Sequence, residues 1–236
     1  MSDKPSPPQL RHQIDQFLQA VDNLPAPRKE RGRIMFAMDA TASRQPTWDH
    51  ACQLQSDMFA HTRGLGGLSM QLCFYRGYYE FRVSPWYDDP DELLRAGQTV
   101  RCRGGHTQIG RVLRHALEEH QRQPLQAVIF IGDCIEESLD DLCHQAGKLG
   151  LLDLPLFLFQ EGNDATASQG FADMARLSGG AHCAFDDHSA SQLSELLNAV
   201  AVYASGGREA LRELLQQGSP SLKTLARQLR LEVHKP

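Results

Sequence analysis

Three uninterrupted apolar runs, Ile34–Met38, Ala127–Ile131 and Leu154–Phe159, constrain this chain more than any other feature. Each is strand-sized and far below the roughly 20 residues of a membrane-crossing helix. A strand with one wet face alternates polar with apolar. A run without alternation belongs to a strand covered on both faces, the situation of a parallel sheet sandwiched between helices. The segments between them carry the other period. Trp48, Ala51, Cys52, Gln55, Met58 and Phe59 share one face of a helix over Thr47–Thr62. Ile109, Val112, Leu113, Ala116 and Leu117 do the same before Pro124, as do Leu139, Leu142, Cys143 and Ala146. Phe171, Met174 and Ala175 mark a further helix closed by Gly179-Gly180. Ala181–Phe185 reads as a last strand, and Leu193–Ala204 as the helix packed on it.

One pair of segments breaks the pattern. Ser69–Phe74 and Tyr79–Val83 alternate across Arg76-Gly77 and predict a β-hairpin. Asp89-Pro90 then opens a short helix with Leu93 and Leu94. The expected fold class is therefore α/β: a mainly parallel central sheet, one antiparallel edge strand and helices on both faces. Three regions follow from the punctuation. Residues 1–28 are a proline-rich lead-in with an amphipathic stretch, Leu10–Leu24; 29–205 form the α/β domain; 206–236 form a leucine-bearing helical tail. The tail is either packed on its own domain or offered to a partner's groove.

Composition narrows the function. The chain has 236 residues and a net charge of −5, which argues against a general grip on nucleic acid or an anionic membrane. Six cysteines stand without a CxxC pair, and no apolar signal segment follows Met1. Reduced thiols in a cytoplasmic protein are the expectation.

In open α/β sheets ligands sit beyond the carboxyl ends of the strands. There the chain places Asp39, Thr41 and Ser43 in a D-x-T-x-S run, Asp133 after the second apolar run, and Thr107 after a glycine-bearing loop. All five are oxygen donors, a set suited to a hard divalent cation that keeps some water. With two carboxylates among weak donors, such an ion stays Lewis acidic and open to another anion. Other roles compete at single positions. Asp39 could cap the helix near Thr47 and Thr107 could cap its own helix. His106 reads as a solvated loop residue and Cys134 as a structural thiol. Glu136 and Glu137 read as a solvated helix start, and Arg44, Arg101 and Arg103 as a rim that attracts acid or makes ordinary ion pairs. Gly64-Leu65-Gly66-Gly67 follows a helix, which fails the dinucleotide-binding geometry.

In this order and strand context, Asp39, Thr41, Ser43, Thr107 and Asp133 resemble the metal-ion-dependent adhesion site (MIDAS) of von Willebrand factor A (VWA) domains, over roughly Arg33 to Ala204. The resemblance is to the stand-alone intracellular type found in bacteria. It implies a Rossmann-like VWA fold and a Mg²⁺ or Mn²⁺ ion. Thr41 and Ser43 would ligate that ion directly, Thr107 directly or through water, and Asp39 and Asp133 mainly through water. It also implies a protein partner whose Glu or Asp completes the coordination, by family association an ATPase or a stress-operon protein, and no enzymatic activity. Thr41 stands where Ser is more frequent, and Gly132-Asp133-Cys134 departs from the frequent Asp-Gly ending. Two other readings stay open: a metal-dependent phosphoryl hydrolase, which would want a second Asp at position 41 and a nearby Lys, or a scaffold with a degenerate site.

Overall fold

The computed structural model describes residues 32–44, 67–185, 194–195 and 197–206. The expected helices over 10–24 and 47–62, the tail after 206, and Cys52 lie outside the described residues.

Six strands form one sheet in the order β3-β2-β1-β4-β5-β6. They are β1 (Gly32–Asp39), β2 (Leu68–Arg76), β3 (Glu80–Tyr87), β4 (Ala127–Gly132), β5 (Leu156–Glu161) and β6 (Ala181–Phe185). All neighbouring pairs are parallel except β2–β3, the hairpin, which leaves β3 as an antiparallel edge. Strand order reverses between β1 and β4, so the ends of these two strands flank the crevice where an open sheet takes its ligand.

The apolar runs are strands because both their faces are covered. Alternate residues of β1 feed two cores: Ile34, Phe36 and Met38 enter one, Met35 and Ala37 the other. The first core is closed by Leu93 of α1 (Pro90–Gln98) and by the helical segment 197–206, through Leu197, Val200 and Ala204. The second is closed by α2 (Ile109–Arg122), α3 (Leu139–Leu151) and α4 (Ala165–Ser178). Every residue of β1 is buried. Each fully buried Ile, Met or Phe contributes about 1.5–3 kcal/mol relative to exposure, so Ile34, Met35, Phe36 and Met38 anchor this strand.

Strand lengths exceed the sequence expectation at their polar ends. β1 runs on through Asp39, paired with Tyr75, and β2 through Arg76. Hydrophobicity marks where a strand is buried, whereas the hydrogen-bond ladder decides where it stops. Among the described residues no helix is long and apolar enough to cross a membrane, and no disulfide joins any two of the described cysteines.

Candidate metal centre

The end of β1 carries Asp39 to the sheet's carboxyl edge, fully buried. One carboxylate oxygen accepts the amide of Thr41 at 2.7 Å and the other accepts the Tyr75 hydroxyl at 3.1 Å. Two hydrogen bonds do not offset the lost hydration. Burial raises the Asp39 pKa from 3.8 to about 6, and the neighbouring charge of Asp133 adds to the rise.

From Asp39 the chain turns through a short 3₁₀ segment, Ala42–Arg44. The Thr41 hydroxyl lies 3.1 Å from that of Ser43, and Ser43 donates to Asp133 Oδ2 at 2.7 Å. Asp133 follows Gly132, the last residue of β4. A Cβ on Gly132 would lie 2.7 Å from the Phe130 ring, so a larger residue would have to displace that ring where β4 brings its aspartate beside Asp39. Four of the five expected residues are thus joined in one chain: Asp39, Thr41, Ser43 and Asp133.

Thr107 reaches the same edge by another route. It is buried, its amide donates to Glu136 Oε2 at 2.8 Å, and its hydroxyl accepts the Glu136 amide at 3.0 Å. Glu136 lies on the loop leaving Asp133. Its pKa is lowered first by the Thr107 amide and then by His106, whose Nδ1 sits 3.1 Å from Oε1.

Several local expectations change here. Thr107 does not cap α2: that helix starts at Ile109 after Gln108, which makes no side-chain cap. Its orphan amides are taken instead by Glu137, which accepts from Ile109 at 2.6 Å and Gly110 at 2.9 Å. A carboxylate here also meets the positive end of the helix dipole. Glu136 and Glu137 are therefore not a solvated helix start; they fasten the Thr107 loop and α2 to the loop that carries Asp133. His106 is exposed but paired with Glu136. Cys134 is half-buried, with its thiol pushed up to about 12 by burial and by Asp133, so it is no nucleophile at neutral pH. Arg103 lies 3.8 Å from Glu80, and the Arg44 side chain falls outside the described residues. Tyr75 carries no local sequence signal of this role beyond being a tyrosine at the end of a buried strand, in register with Asp39.

The fit to a divalent cation can be tested on these atoms. Asp133 Oδ1 is buried and meets no hydrogen-bond partner among the described residues, an arrangement that costs about 1–3 kcal/mol or more for a charged group. Asp133 stands near enough for its charge to raise the proton affinity of Asp39, and hydroxyls surround the pair. Among the described residues no group of three or more His, Cys, Asp or Glu is placed to hold a metal ion, so a cation here would have only two carboxylates, with hydroxyls and water making up the rest. The donor set is carboxylate and hydroxyl oxygen, and it fits a hard ion.

No family model matches the chain, and no curated relative matches it. Solved structures do. The SpRpn10 VWA domain aligns with 75% of this chain and 97% of its own at 16% identity and a TM-score of 0.55. Proximal thread matrix protein 1 from the mussel byssus, with a zinc-occupied MIDAS motif, aligns with 78% of this chain and 46% of its own at 18% identity and a TM-score of 0.58. The manganese-loaded TRAP protein of Plasmodium vivax aligns with 73% of this chain and 74% of its own at 15% identity and a TM-score of 0.55. At these identities the likeness is one of fold. The chain has the Rossmann-like fold of VWA domains, with its oxygen-donor cluster at the sheet's carboxyl edge.

Proposed function

We propose that this protein is a divalent-cation-dependent protein-binding module. Its MIDAS-type site consists of Asp39, Thr41, Ser43, Thr107 and Asp133, takes Mg²⁺ or Mn²⁺, and binds a partner through an acidic side chain. The observation that carries the reading is the hydrogen-bonded chain from Asp39 through Thr41 and Ser43 to Asp133, with the orphaned Asp133 Oδ1 beside it. Asp39 and Asp133 supply negative charge; the hydroxyls of Thr41, Ser43 and Thr107 supply neutral donors. A cation held this way is under-neutralised and attracts a further carboxylate. Two metal-loaded neighbours of the same fold support the reading by analogy.

The site itself is non-enzymatic in this account. Both Asp39 oxygens are engaged and the residue is buried, and Cys134 is held as a thiol. The setting proposed for the protein is cytoplasmic, on the strength of six scattered cysteines without a CxxC pair.

Water-proton relaxation of Mn²⁺ added to the protein tests the open position. Bound Mn²⁺ should retain exchangeable water, and acetate or an acidic peptide should displace part of it. Bound Mn²⁺ whose relaxation is indifferent to carboxylates would contradict a partner-binding role.

A further inference from the structure

The turn of the β2–β3 hairpin lies against the candidate centre, and its side chains are not used by the cation site. Gly77 donates its amide to the Arg103 carbonyl at 3.5 Å, and the Arg103 amide donates to the carbonyl of Ala40, between Asp39 and Thr41, at 3.0 Å. Arg76 Nη1 donates to the Arg101 carbonyl at 2.6 Å, and Gln108 Nε2 donates to the Gly77 carbonyl at 3.3 Å. A Cβ on Gly105 would collide with the backbone of Gly77. Hairpin tip, Asp39 loop and Thr107 loop thus form one continuous rim.

That rim has a marked charge and an unusual apolar content. Segments 76–82 and 101–111 contain five arginines (Arg76, Arg82, Arg101, Arg103 and Arg111) against one glutamate, Glu80, in a chain whose net charge is −5. Glu80 is shared among three of them: Arg76 at 2.8 Å, Arg82 at 3.2 Å and Arg103 at 3.8 Å. Arg82 and Arg103 remain 67% exposed at their side chains. Beside them stand Tyr78 and Tyr79, 64% and 88% exposed. Tyr78 packs edge-on against His106 with ring centroids 5.2 Å apart, next to the Thr107 loop, and Arg111 holds the Tyr79 carbonyl at 2.8 Å. The tyrosines are therefore presented on a pinned turn, which limits the entropy lost on binding.

Resting on the function proposed above, we infer that this rim selects the partner: Tyr78, Tyr79, Arg82 and Arg103 receive a peptide segment carrying several acidic residues, of which one reaches the cation and the others pair with the arginines. One carboxylate at the ion would suit almost any protein surface. A cluster of arginines presents fork-shaped donors that match carboxylates, and exposed tyrosines give contact area at low entropic cost. Charge complementarity also sets the encounter rate, which makes the interaction salt-sensitive.

The test uses the full chain and two fluorescent peptides, one a mixed Asp/Glu sequence and the other its Asn/Gln counterpart, with single-stranded DNA of equal charge as competitor. The inference predicts binding of the acidic peptide alone, weakened roughly fivefold to tenfold in an Arg82→Gln/Arg103→Gln variant, weakened again in Tyr78→Ala/Tyr79→Ala, and only partly recovered with Lys at the arginine positions, which restores the charge without the fork. These residues are exposed, and circular dichroism checks that each variant folds. Equal affinity in wild type and the arginine variant, or no affinity for the acidic peptide, overturns the inference. Tighter binding of DNA than of peptide also overturns it. Mn²⁺ uptake is measured on the same samples. A chain that binds the peptide through Arg82 and Arg103 without taking up Mn²⁺ would refute the cation reading and leave the rim standing. Intact Mn²⁺ uptake with rim-independent peptide binding would do the reverse.

Discussion

Replacing Asp39 by Asn should make the cation-free protein more stable at neutral pH while removing its response to divalent ions. In the native chain the Asp39 carboxyl titrates at about 6 against 3.8 for an unburied aspartate, chiefly because burial penalises its charge. The native state therefore binds this proton more tightly than the unfolded chain does. The group's contribution to stability is complete below pH 3.8, declines as pH rises toward about 6, and becomes a constant penalty above that. At about 1.4 kcal/mol per pKa unit, the penalty is about 3 kcal/mol. Asparagine cannot ionise, is nearly isosteric, and can still accept the Thr41 amide and meet the Tyr75 oxygen. In chelator at pH 7 the variant should gain about 3 kcal/mol, or about 6–12 °C in melting midpoint for a chain of this length. Near pH 4 most of the advantage should disappear. Added Mg²⁺ should raise the midpoint of the wild type, because a ligand that binds only the native state stabilises it, and leave the variant unmoved. Melting curves across pH, with and without Mg²⁺, test all three statements. A variant less stable than wild type at pH 7 in chelator would refute the reasoning.

Other consequences follow from the same network. Tyr75→Phe removes a hydrogen bond that favours ionised Asp39; the lower limit for cation uptake should move up by about one pH unit, as read by Mn²⁺ binding at stepped pH. Glu137→Gln removes the charge that meets the first amides of α2, and urea unfolding should show a loss of about 1 kcal/mol. Gly132→Ala forces a methyl onto a Phe130 ring already packed against Tyr75 and Phe171; it should cost about 1–3 kcal/mol and weaken Mn²⁺ uptake by displacing Asp133.

The central strands were legible because they are buried on both faces. Ile34–Met38 and Ala127–Ile131 have no polar interruption, and no other common element needs such a run. The hairpin was legible from its alternation, though its exposed strand proved longer than the apolar signal: β3 continues through Ser84, Pro85 and Trp86 to Tyr87. At the centre, Asp39, Thr41 and Ser43 were marked by their D-x-T-x-S spacing and Asp133 by its place after a buried strand, although the chain from Ala42 to Arg44 turns as a 3₁₀ segment and is not extended. Thr107 is placed by contacts that span some 29 positions in sequence, and helical periodicity cannot report those. For the same reason Glu136 and Glu137 looked like surface charges. A carboxylate that fastens a distant loop has the same local pattern as one facing water. Tyr75 was hidden by its own hydrophobicity, because a core tyrosine and one that orients an aspartate read alike until the register is known.

The central claim, that this oxygen-donor cluster holds a divalent cation, is tested most directly by isothermal titration of Mn²⁺ and Mg²⁺ into chelator-stripped protein. Wild type is compared with Asp39→Asn and with Ser43→Ala, which deletes one hydroxyl at an exposed position without altering charge. The account predicts one ion per wild-type chain, weaker binding in Ser43→Ala and none in Asp39→Asn. Indistinguishable heats in all three proteins would contradict it.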